Sequence, residues 1–163
     1  MNGETAFLSL GSNLGKREEN LGRAAEALGS ILQKLRCSSI YETRPLYVLD
    51  QPSFLNMVVM GQCLLSPRVL LQRALSVETQ IGRDRANCVP KGPRIIDIDI
   101  LLFGRRIIRE KKLSIPHPHM KERQFVLIPL LELRPNLVDP ETGRPLSESL
   151  RVLDDQGVYI FSS

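Results

Sequence analysis

The order of predicted elements indicates an α+β fold, a ferredoxin-like β-α-β-β-α-β sandwich with C-terminal additions. Two segments have apolar residues at helical spacing, and four short strand-like segments flank them. This order favours a mainly antiparallel sheet with the helices packed on one face. The length of 163 residues, with 42% hydrophobic residues, suits one compact core. We therefore expect residues 1–163 to form a single domain.

The first strand is predicted at residues 6–10, followed by a turn at residues 11–13. A helix comes next and is expected to end near Gly29. Glu18 and Glu19 favour its N-terminus, because negative charge is stabilised there. The buried face of this helix is expected to consist of Leu21, Ala25, Leu28 and Leu32.

The second half of the unit begins with a predicted strand at residues 35–42 and a loop at 46–53. A more apolar strand is expected at residues 54–65. Ser66 and Pro67 then supply an N-cap and a proline at the first helical position. The buried stripe of this second helix is Leu70, Ala74, Val77 and Ile81, and Gly82 is the expected C′ residue.

The final strand of the unit is predicted at residues 95–103, after a polar loop at residues 83–92. A short strand at residues 113–115 and a helix at 124–133 follow. The remaining Pro-, Gly- and Asp-rich tail is expected to have weak structure.

Composition restricts the function classes. The net charge is +4, which favours anionic partners without selecting among them. Cys37, Cys63 and Cys88 lack metal-ligand spacing and cannot all pair, which indicates reduced thiols in a cytoplasmic protein. The start lacks a signal-peptide pattern, and no apolar run is long enough to span a membrane. We expect a monomer that binds no membrane.

Asp97 and Asp99 are the most informative residues, since they interrupt an apolar strand. Side chains alternate across a strand, so these carboxylates share one face, roughly 6.5 Å apart. Such a pair can bind one or two hard cations. Arg83, Arg85 and Arg94 precede them, and carboxylates beside an arginine cluster suit polyphosphate chemistry. A merely solvated polar strand face is the alternative.

The other candidate residues have competing interpretations. Arg83 and Arg85 follow a helix and can cap its C-terminus, or they can contact phosphate together with Lys91 and Arg94. His117 and His119 lie among prolines and fit a weak zinc motif, a phosphate donor or surface residues. Phe125 suits a core position or a stacking surface. The spacing Gly11-Ser-Asn-Leu-Gly-Lys16 does not match a Walker phosphate loop.

Taken together, several motifs resemble 6-hydroxymethyl-7,8-dihydropterin pyrophosphokinase, a family of folate biosynthesis. The resemblance extends over nearly the whole chain. It includes residues 8–15, 50–56, 78–85 and 115–127, the segment Tyr41-Glu-Thr-Arg-Pro-Leu46 and the highly specific run Gly92-Pro-Arg-Ile-Ile-Asp-Ile-Asp-Ile-Leu-Leu-Phe-Gly104.

The resemblance implies transfer of pyrophosphate from ATP to the pterin hydroxymethyl group. It assigns two Mg²⁺ ions to Asp97 and Asp99. It assigns ATP to Glu78, Arg83, Arg85, Lys91, Arg94, Ile100, Lys112, Ser114, His117 and Arg123, with Arg83, Arg94, Asp97 and Asp99 as the catalytic set. The pterin is assigned to Thr43, Pro45, Leu46, Phe54, Asn56 and Phe125.

Three positions depart from some members of that family. Phe54 replaces Tyr, Pro118 replaces Tyr, and the loop at residues 87–91 lacks a Trp and is one residue longer. Two other functions are weighed against the resemblance. A ferredoxin-like nucleic-acid-binding module needs aromatic residues on its open sheet face, whereas this face has carboxylates that repel phosphate. A metal-dependent phosphohydrolase would hydrolyse ATP without a pterin. We expect small-molecule substrates and no nucleic acid.

Overall fold

A computed structural model of the chain describes residues 2–45 and 50–163. Within these two stretches the chain forms eight strands, four α-helices and one 3-10 helix. The strands are β1 Glu4–Ser12, β2 Gln33–Cys37, β3 Tyr41–Thr43, β4 Phe54–Cys63, β5 Asp97–Phe103, β6 Ile108–Glu110, β7 Leu113–Ile115 and β8 Val158–Ile160. The helices are α1 Arg17–Gly29, α2 Pro67–Ile81, α3 Gln124–Leu133, α4 Leu146–Arg151 and the 3-10 helix Met120–Glu122.

The main sheet has six strands in the order β5-β1-β4-β3-β8, with β2 also paired to β4. Each pairing between these strands is antiparallel. β6 and β7 form a separate antiparallel pair. The predicted α+β class with a mainly antiparallel sheet is confirmed.

Both faces of the sheet are covered, so the expectation of helices on one face was incomplete. Alternate residues of β1 enter different cores: Leu8 and Leu10 pack with α1 and α2, whereas Phe7 packs on the opposite face with α3. Strands buried on both sides have continuous apolar runs, which is why β1 and β4 show little polar alternation. We call the side covered by α1 and α2 the first face and the side covered by α3 and α4 the second face.

The predicted start and end of α2 and the predicted end of α1 are confirmed. The Ser66 side chain accepts a hydrogen bond from the Val69 N–H at 3.3 Å, and Pro67 is the first residue of α2. Gly82 ends this helix at φ 119°, a left-handed conformation that favours glycine. α1 ends at Gly29 as expected. Ala24, rather than Ala25, is fully buried, and Leu32 is buried after the helix has ended.

Several strand predictions were wrong in detail. β1 extends through Gly11 and Ser12, which were expected to form a turn, because Gly11 pairs with both Asn56 and Asp97. The single strand predicted at residues 35–42 is two strands. Cys37 pairs with Val59 and Tyr41 with Asn56, so four steps on the edge match three on β4, leaving one extra residue as a bulge. β4 ends at Cys63, two residues early.

The last strand of the predicted unit also starts later than expected, at Asp97 instead of residue 95. The Ile96 carbonyl accepts a hydrogen bond from Arg83 Nη1 at 3.1 Å, so a side chain replaces strand pairing there. The loop at residues 83–92 forms no helix or strand, as predicted.

The tail is more ordered than its composition indicated. It contains α4, which packs beside α3, and β8, which pairs with β3. β8 has only three residues and no clear periodicity, so its pairing partner determines its structure. In the described part of the chain, no helix has the length and apolar character needed to cross a bilayer.

Candidate active site

A cavity of about 320 Å³, here called the main cavity, opens on the second face of the sheet. Twelve of the residues predicted for catalysis or binding line it. They are Thr43, Phe54, Asn56, Arg83, Arg85, Lys91, Arg94, Asp97, Asp99, His117, Arg123 and Phe125. The sequence-predicted sites for phosphate, metal and pterin therefore meet in one pocket.

The floor of the main cavity consists of three adjacent strands. On the central strand β1, Gly11 lies between Asn56 of β4 and Asp97 of β5, and Ser9 lies beside Asp99. A Cβ at Gly11 would lie 3.1 Å from Asn56 Oδ1 and 3.7 Å from the Phe54 ring. Because Gly11 has no side chain, space remains above the cavity floor between the predicted pterin and metal sites.

Asp97 and Asp99 share the cavity face, as the strand alternation predicted, while Ile98 and Ile100 are buried on the first face. Burial, followed by the negative charges of Asp97 and Glu78, raises the pKa of Asp99 to about 7. The negative charge of Asp97 therefore opposes ionisation of Asp99. A bound cation would relieve this repulsion.

Arg83 is held by a buried carboxylate beneath the cavity. Its Nη1 donates to Glu78 Oε2 at 2.9 Å and to Asp97 Oδ1 at 2.6 Å. Arg85 Nη2 also donates to Glu78, at 2.5 Å. The Glu78 side chain is 1% exposed and accepts from the Ile98 N–H at 2.8 Å. Burial raises the pKa of Glu78, opposed by these hydrogen bonds and the arginines.

Glu78 therefore lies under the cavity rather than in its lining, although the resemblance assigned it to ATP. Its role in this geometry is to orient Arg83 and Arg85 and to bond to the start of β5. Helix capping explains neither arginine, because both guanidinium groups turn toward side chains of the site.

Arg94 is positioned by Asn13, a buried residue that sequence analysis did not select. Asn13 Oδ1 accepts from the Arg94 N–H at 2.8 Å, and the Arg94 carbonyl accepts from the Asn13 N–H at 3.1 Å. The Asn13 amide also donates to Gln51 Oε1 at 2.8 Å and to the Pro52 carbonyl at 3.1 Å. One side chain thus connects β1, the segment before β4 and the start of β5.

His117 has one ring nitrogen engaged and the other directed toward Asp99. The His119 N–H donates to His117 Nδ1 at 3.1 Å, and His117 Nε2 lies 3.9 Å from Asp99 Oδ2. Burial, then the charge of Arg123, lowers the pKa of His117 to about 4. At neutral pH the ring is uncharged with its proton on Nε2, so it is a hydrogen-bond donor to an anion. This geometry favours the phosphate-donor interpretation.

The zinc interpretation gains no support. His119 Nδ1 lies 3.5 Å from Glu122 and not with His117 at a shared ion position. Within residues 2–45 and 50–163, no group of three or more His, Cys, Asp or Glu side chains is arranged to hold a metal ion. The carboxylate pair is the remaining metal candidate, with further ligands to come from substrate or water.

Two aromatic rings line the main cavity from different elements. Phe54 begins β4, and its ring lies under the Arg94 guanidinium, with 5.4 Å between Cζ and the ring centroid. Phe125 lies in the first turn of α3, with Arg123 Cζ 5.7 Å from its ring centroid. Phe125 packs against the second core and also lines the main cavity, so it has a core position that leaves it accessible from the cavity.

The predicted adenosine residues lie in a neighbouring cavity of about 320 Å³. Ile100, Lys112 and Ser114 line it. Asp99 and His117 line both cavities, so the two spaces meet at the predicted metal and phosphate positions.

Two predicted pterin residues do not line the main cavity. Pro45 is buried beside it, and Leu46 lies outside the described residues. Six lining residues had no substrate role assigned from the sequence, although His119 was weighed as a candidate: Ser9, Gly11, Arg44, Leu101, His119 and Val126. Ser9 and Gly11 follow Phe7 at period two on β1, which is the pattern that could have identified them.

A model of the 7,8-dihydro-6-hydroxymethylpterin-pyrophosphokinase (HPPK) family matches residues 7–135. The chain belongs to the HPPK family. The match includes every predicted site residue and ends before α4 and β8.

Similar proteins are named either as this pyrophosphokinase or as folic acid synthesis proteins. A 2-amino-4-hydroxy-6-hydroxymethyldihydropteridine pyrophosphokinase from Aquifex aeolicus is 40% identical over 144 residues, covering 88% of this chain and 89% of that protein. The folic acid synthesis protein fol1 of Schizosaccharomyces pombe is 44% identical over 160 residues, which is 97% of this chain but 22% of that protein. The chain thus spans about a fifth of the yeast relative.

Solved structures share the fold. Wild-type Plasmodium falciparum HPPK-DHPS with pteroate matches with a TM-score of 0.72 at 17% identity, covering 93% of this chain and 42% of that one. The nucleic-acid-binding and phosphohydrolase alternatives have no support from the relatives. The second sheet face also differs from an RNA-binding platform, because α3 covers one end of it and carboxylates occupy the other.

Proposed function

We propose that this chain transfers pyrophosphate from ATP to 6-hydroxymethyl-7,8-dihydropterin, giving the pterin diphosphate and AMP, in folate biosynthesis. The observation on which this depends is the main cavity of an HPPK family member. There, paired carboxylates, a cluster of guanidinium groups and two aromatic rings line one pocket. Each part suits one part of the reaction: phosphate, metal and flat heterocycle.

The triphosphate binds between the cations of the cavity. Arg83, Arg94, Arg123 and His117 contact its oxygens, and Arg85 and Lys91 approach from the loop at residues 83–92. Arg83 Nε and Arg94 Nε support this placement, because both are buried without a hydrogen-bond partner. Buried polar groups without partners are costly, and phosphate oxygens would satisfy them.

The donor set at Asp97 and Asp99 fits magnesium. Both groups are hard oxygen ligands, and the raised pKa of Asp99 reflects a need for positive charge nearby. We assign two Mg²⁺ ions to this pair; Asp97 and Asp99 would hold them, and they would supply positive charge that neutralises the triphosphate. Carboxylates plus substrate phosphates and water are the usual Mg²⁺ ligands in such sites.

The pterin lies between Phe54 and Phe125, with its polar edge toward Asn56. Asn56 Nδ2 donates to Thr43 Oγ1 at 2.9 Å, which holds the amide beside β3. Backbone groups of Thr43, Pro45 and Leu46 complete the edge contacts. A buried carboxamide offers both a donor and an acceptor to the polar edge of a heterocycle.

The adenosine occupies the neighbouring cavity at Ile100, Lys112 and Ser114, and Glu78 acts from beneath by holding Arg83 and Arg85. Residues 83–92 form the mobile loop that closes over ATP. This arrangement aligns the pterin oxygen with the β-phosphorus across Asp99 and His117, which border both cavities.

The reaction depends on positioning and charge more than on covalent help from the protein. The hydroxymethyl oxygen bonds to the β-phosphorus, the bond to the α–β bridging oxygen breaks, and AMP leaves. The hydroxyl proton passes to solvent, since His117 keeps its Nε2 proton and has no free acceptor nitrogen. Arg83 and Arg94 stabilise the charge that develops on the transferred group.

The sheet order supports a ferredoxin-like assignment, because β5, β1, β4 and the β2–β3 edge stand in the order of such sandwiches. We propose further that residues 1–163 act as one catalytic domain, monomeric and cytoplasmic.

One assay tests the function against its rivals. AMP formation from Mg-ATP is measured with and without 6-hydroxymethyl-7,8-dihydropterin. We expect AMP and pterin diphosphate in equal amounts only when both substrates are present. Nucleotide hydrolysis without pterin would instead indicate a phosphohydrolase, and no turnover with both substrates would reject the transferase proposal.

A further inference from the structure

The first turn of α3 has no side-chain cap from its own N-cap residue, Arg123. The cap comes instead from Gln156, distant in sequence. Gln156 Oε1 accepts from the Gln124 N–H at 2.9 Å, and Gln124 Oε1 accepts from the Gln156 N–H at 2.8 Å. Gln156 Nε2 also donates to the Glu122 carbonyl at 2.9 Å. Three hydrogen bonds therefore fix the start of α3 to the chain after α4.

The same segment continues into the main sheet. Val158 pairs with Thr43 and Ile160 with Tyr41. The Phe161 N–H then donates to the Ile40 carbonyl at 2.9 Å, and its ring packs against the first core. Gly157, at φ +70°, provides the sharp turn between the cap and the strand. We call residues 155–161 the tail segment.

The two attachment points of the tail segment belong to two walls of the main cavity. Gln124 lies between Arg123 and Phe125, which line the cavity from α3. Thr43 lines it from β3 and accepts the Asn56 amide. The Tyr41 hydroxyl of β3 bonds to Glu132 near the C-terminal end of α3, whereas the tail segment joins β3 to the N-terminal end of α3, next to Phe125. It also lies beyond the stretch that the family model matches.

We propose that Gln156 is a positioning residue for the pterin pocket. By capping α3 from the tail segment, it holds Phe125 at a constant distance from the Thr43 and Asn56 wall. This inference rests on the proposed function, because it assigns the gap between those walls to the pterin. Gln156 itself touches neither substrate.

The expected effect is on binding rather than on chemistry. Losing an N-cap hydrogen bond typically costs about 1 kcal/mol, which corresponds to a factor of about five in an equilibrium constant. If the uncapped helix start samples other positions, the apparent Kd rises in proportion to the lost competent fraction. The adenosine cavity lies on the far side of Asp99 and His117, so nucleotide binding should change less.

The test compares Gln156→Ala, Gln156→Glu and the control Asp154→Ala, which changes an exposed residue two positions upstream. Calorimetry measures the Kd of the pterin and, separately, of a non-hydrolysable Mg-ATP analogue. For Gln156→Ala we expect a pterin Kd raised about fivefold and a nucleotide Kd changed less than about twofold. Gln156→Glu keeps the acceptor for the Gln124 N–H and should recover most of the affinity, and Asp154→Ala should match the unmutated chain.

A folded Gln156→Ala variant that binds pterin normally would overturn the inference, as would equal losses for both ligands. Thermal unfolding shows which variants are folded; if Gln156→Ala is not, failure of Gln156→Glu to bind pterin more tightly than a Gln156→Met variant overturns it. Failure of the proposed function has a separate signature, because the unmutated chain would then bind no pterin.

Discussion

The two ends of the second sheet face differ in their side chains and their exposure to water, although strands β1, β4 and β5 run along the whole face. We define the core end as Phe7, Val58 and Met60, and the site end as Ser9, Gly11, Asn56, Asp97 and Asp99. Leu101 packs in the second core and also lines the main cavity, so it lies at the boundary. At the core end, α3 covers large apolar side chains. Two to four residues further along each strand, the side chains become small, polar or acidic, and the face opens into the main cavity.

The difference shows how the fold separates stability from binding. The core end excludes water and gains free energy from apolar burial. The site end instead gathers groups that oppose folding: a carboxylate with a pKa of about 7 and buried Arg83 and Arg94 nitrogens without partners. Such groups are retained where a ligand will pair with them. Substitutions at the site end should therefore reduce activity with little loss of stability. Substitutions at the core end should reduce stability with little loss of ligand binding.

The largest effect is expected at the site end. Asp97→Ala and Asp99→Ala should each lower kcat/KM about 10³-fold or more at saturating Mg²⁺, because each removes a proposed Mg²⁺ ligand and with it positive charge that would neutralise the triphosphate. Asp99→Ala should not lower the unfolding temperature, since the ionised group is disfavoured in the fold. Steady-state AMP formation and thermal unfolding measure the two quantities. Near-normal turnover in either variant would refute the metal assignment.

The reverse signature is expected at the core end. Met60→Ala removes a side chain that is 6% exposed and should lower the free energy of unfolding by about 2–5 kcal/mol. The folded fraction should still bind Mg-ATP with unchanged affinity, because Met60 lies away from both cavities. Denaturant unfolding and nucleotide titration check this. A large loss of nucleotide affinity in folded protein would show that the two ends are not separate.

The loop at residues 83–92 resembles the site end, because it has little apolar surface to bury and so gains little free energy from burial. Its described contacts include the Gln51 amide donating to the Lys91 carbonyl at 3.2 Å. Backbone amide exchange there should slow up to about 100-fold when both ligands are present at 100 times their Kd. Exchange in β4 is the internal control. If the loop is already strongly protected without ligands, it is not a lid.

Phe125 lies at the boundary between the core end and the site end, so its substitution tests to which of them it contributes. Phe125→Ala should weaken pterin binding about tenfold or more and nucleotide binding much less, since stacking adds about 0.5–1.5 kcal/mol beyond area burial. Leu64→Ala, at an apolar residue 54% exposed just after β4 that lines neither cavity, is the control. Separate titrations of the two ligands measure the effect. Equal losses would assign Phe125 to the core end alone.

The smallest effect is expected at Glu132, which attaches the end of α3 to the sheet edge. It accepts hydrogen bonds from Ser39 Oγ at 2.8 Å and from the Tyr41 hydroxyl at 2.6 Å. Burial opposes its charge, but these bonds prevail and lower the pKa of Glu132. The stabilisation is therefore complete above its unfolded pKa and is lost as the pH falls through the lower, folded value.

Glu132→Gln should consequently reduce the free energy of unfolding by about 0.5–1 kcal/mol at pH 7, discounted for solvent exposure. The difference from the unmutated chain should shrink at pH 3, where the carboxylate is protonated. Denaturant unfolding at both pH values measures this difference in free energy, and Glu26→Gln, at an exposed position of α1, is the control. An equal difference at pH 3 and pH 7 would reject the ionic contribution.

Local chemistry in the sequence determined much of this protein. Ser66 and Pro67 began α2, Gly82 ended it, and the alternation around Asp97 and Asp99 placed both carboxylates on one face. These features depend on neighbouring residues, whose sterics and hydrogen bonds act within a few positions. The resemblance then brought together twelve residues that do line one cavity.

Other features depended on contacts between distant segments. The bulge that divides β2 from β3 arises from the register against β4, and the late start of β5 from the Arg83 bond to the Ile96 carbonyl. Asn13 and Gln156 were not selected from the sequence, yet Asn13 bonds to the Arg94 N–H 81 positions away and Gln156 to the Gln124 N–H 32 positions away. The resemblance assigned Glu78 to ATP, whereas the fold buries it beneath Arg83 and Arg85. Whether a polar residue is buried, and which partner satisfies it, is decided only when the chain has folded, because burial is what makes that partner necessary.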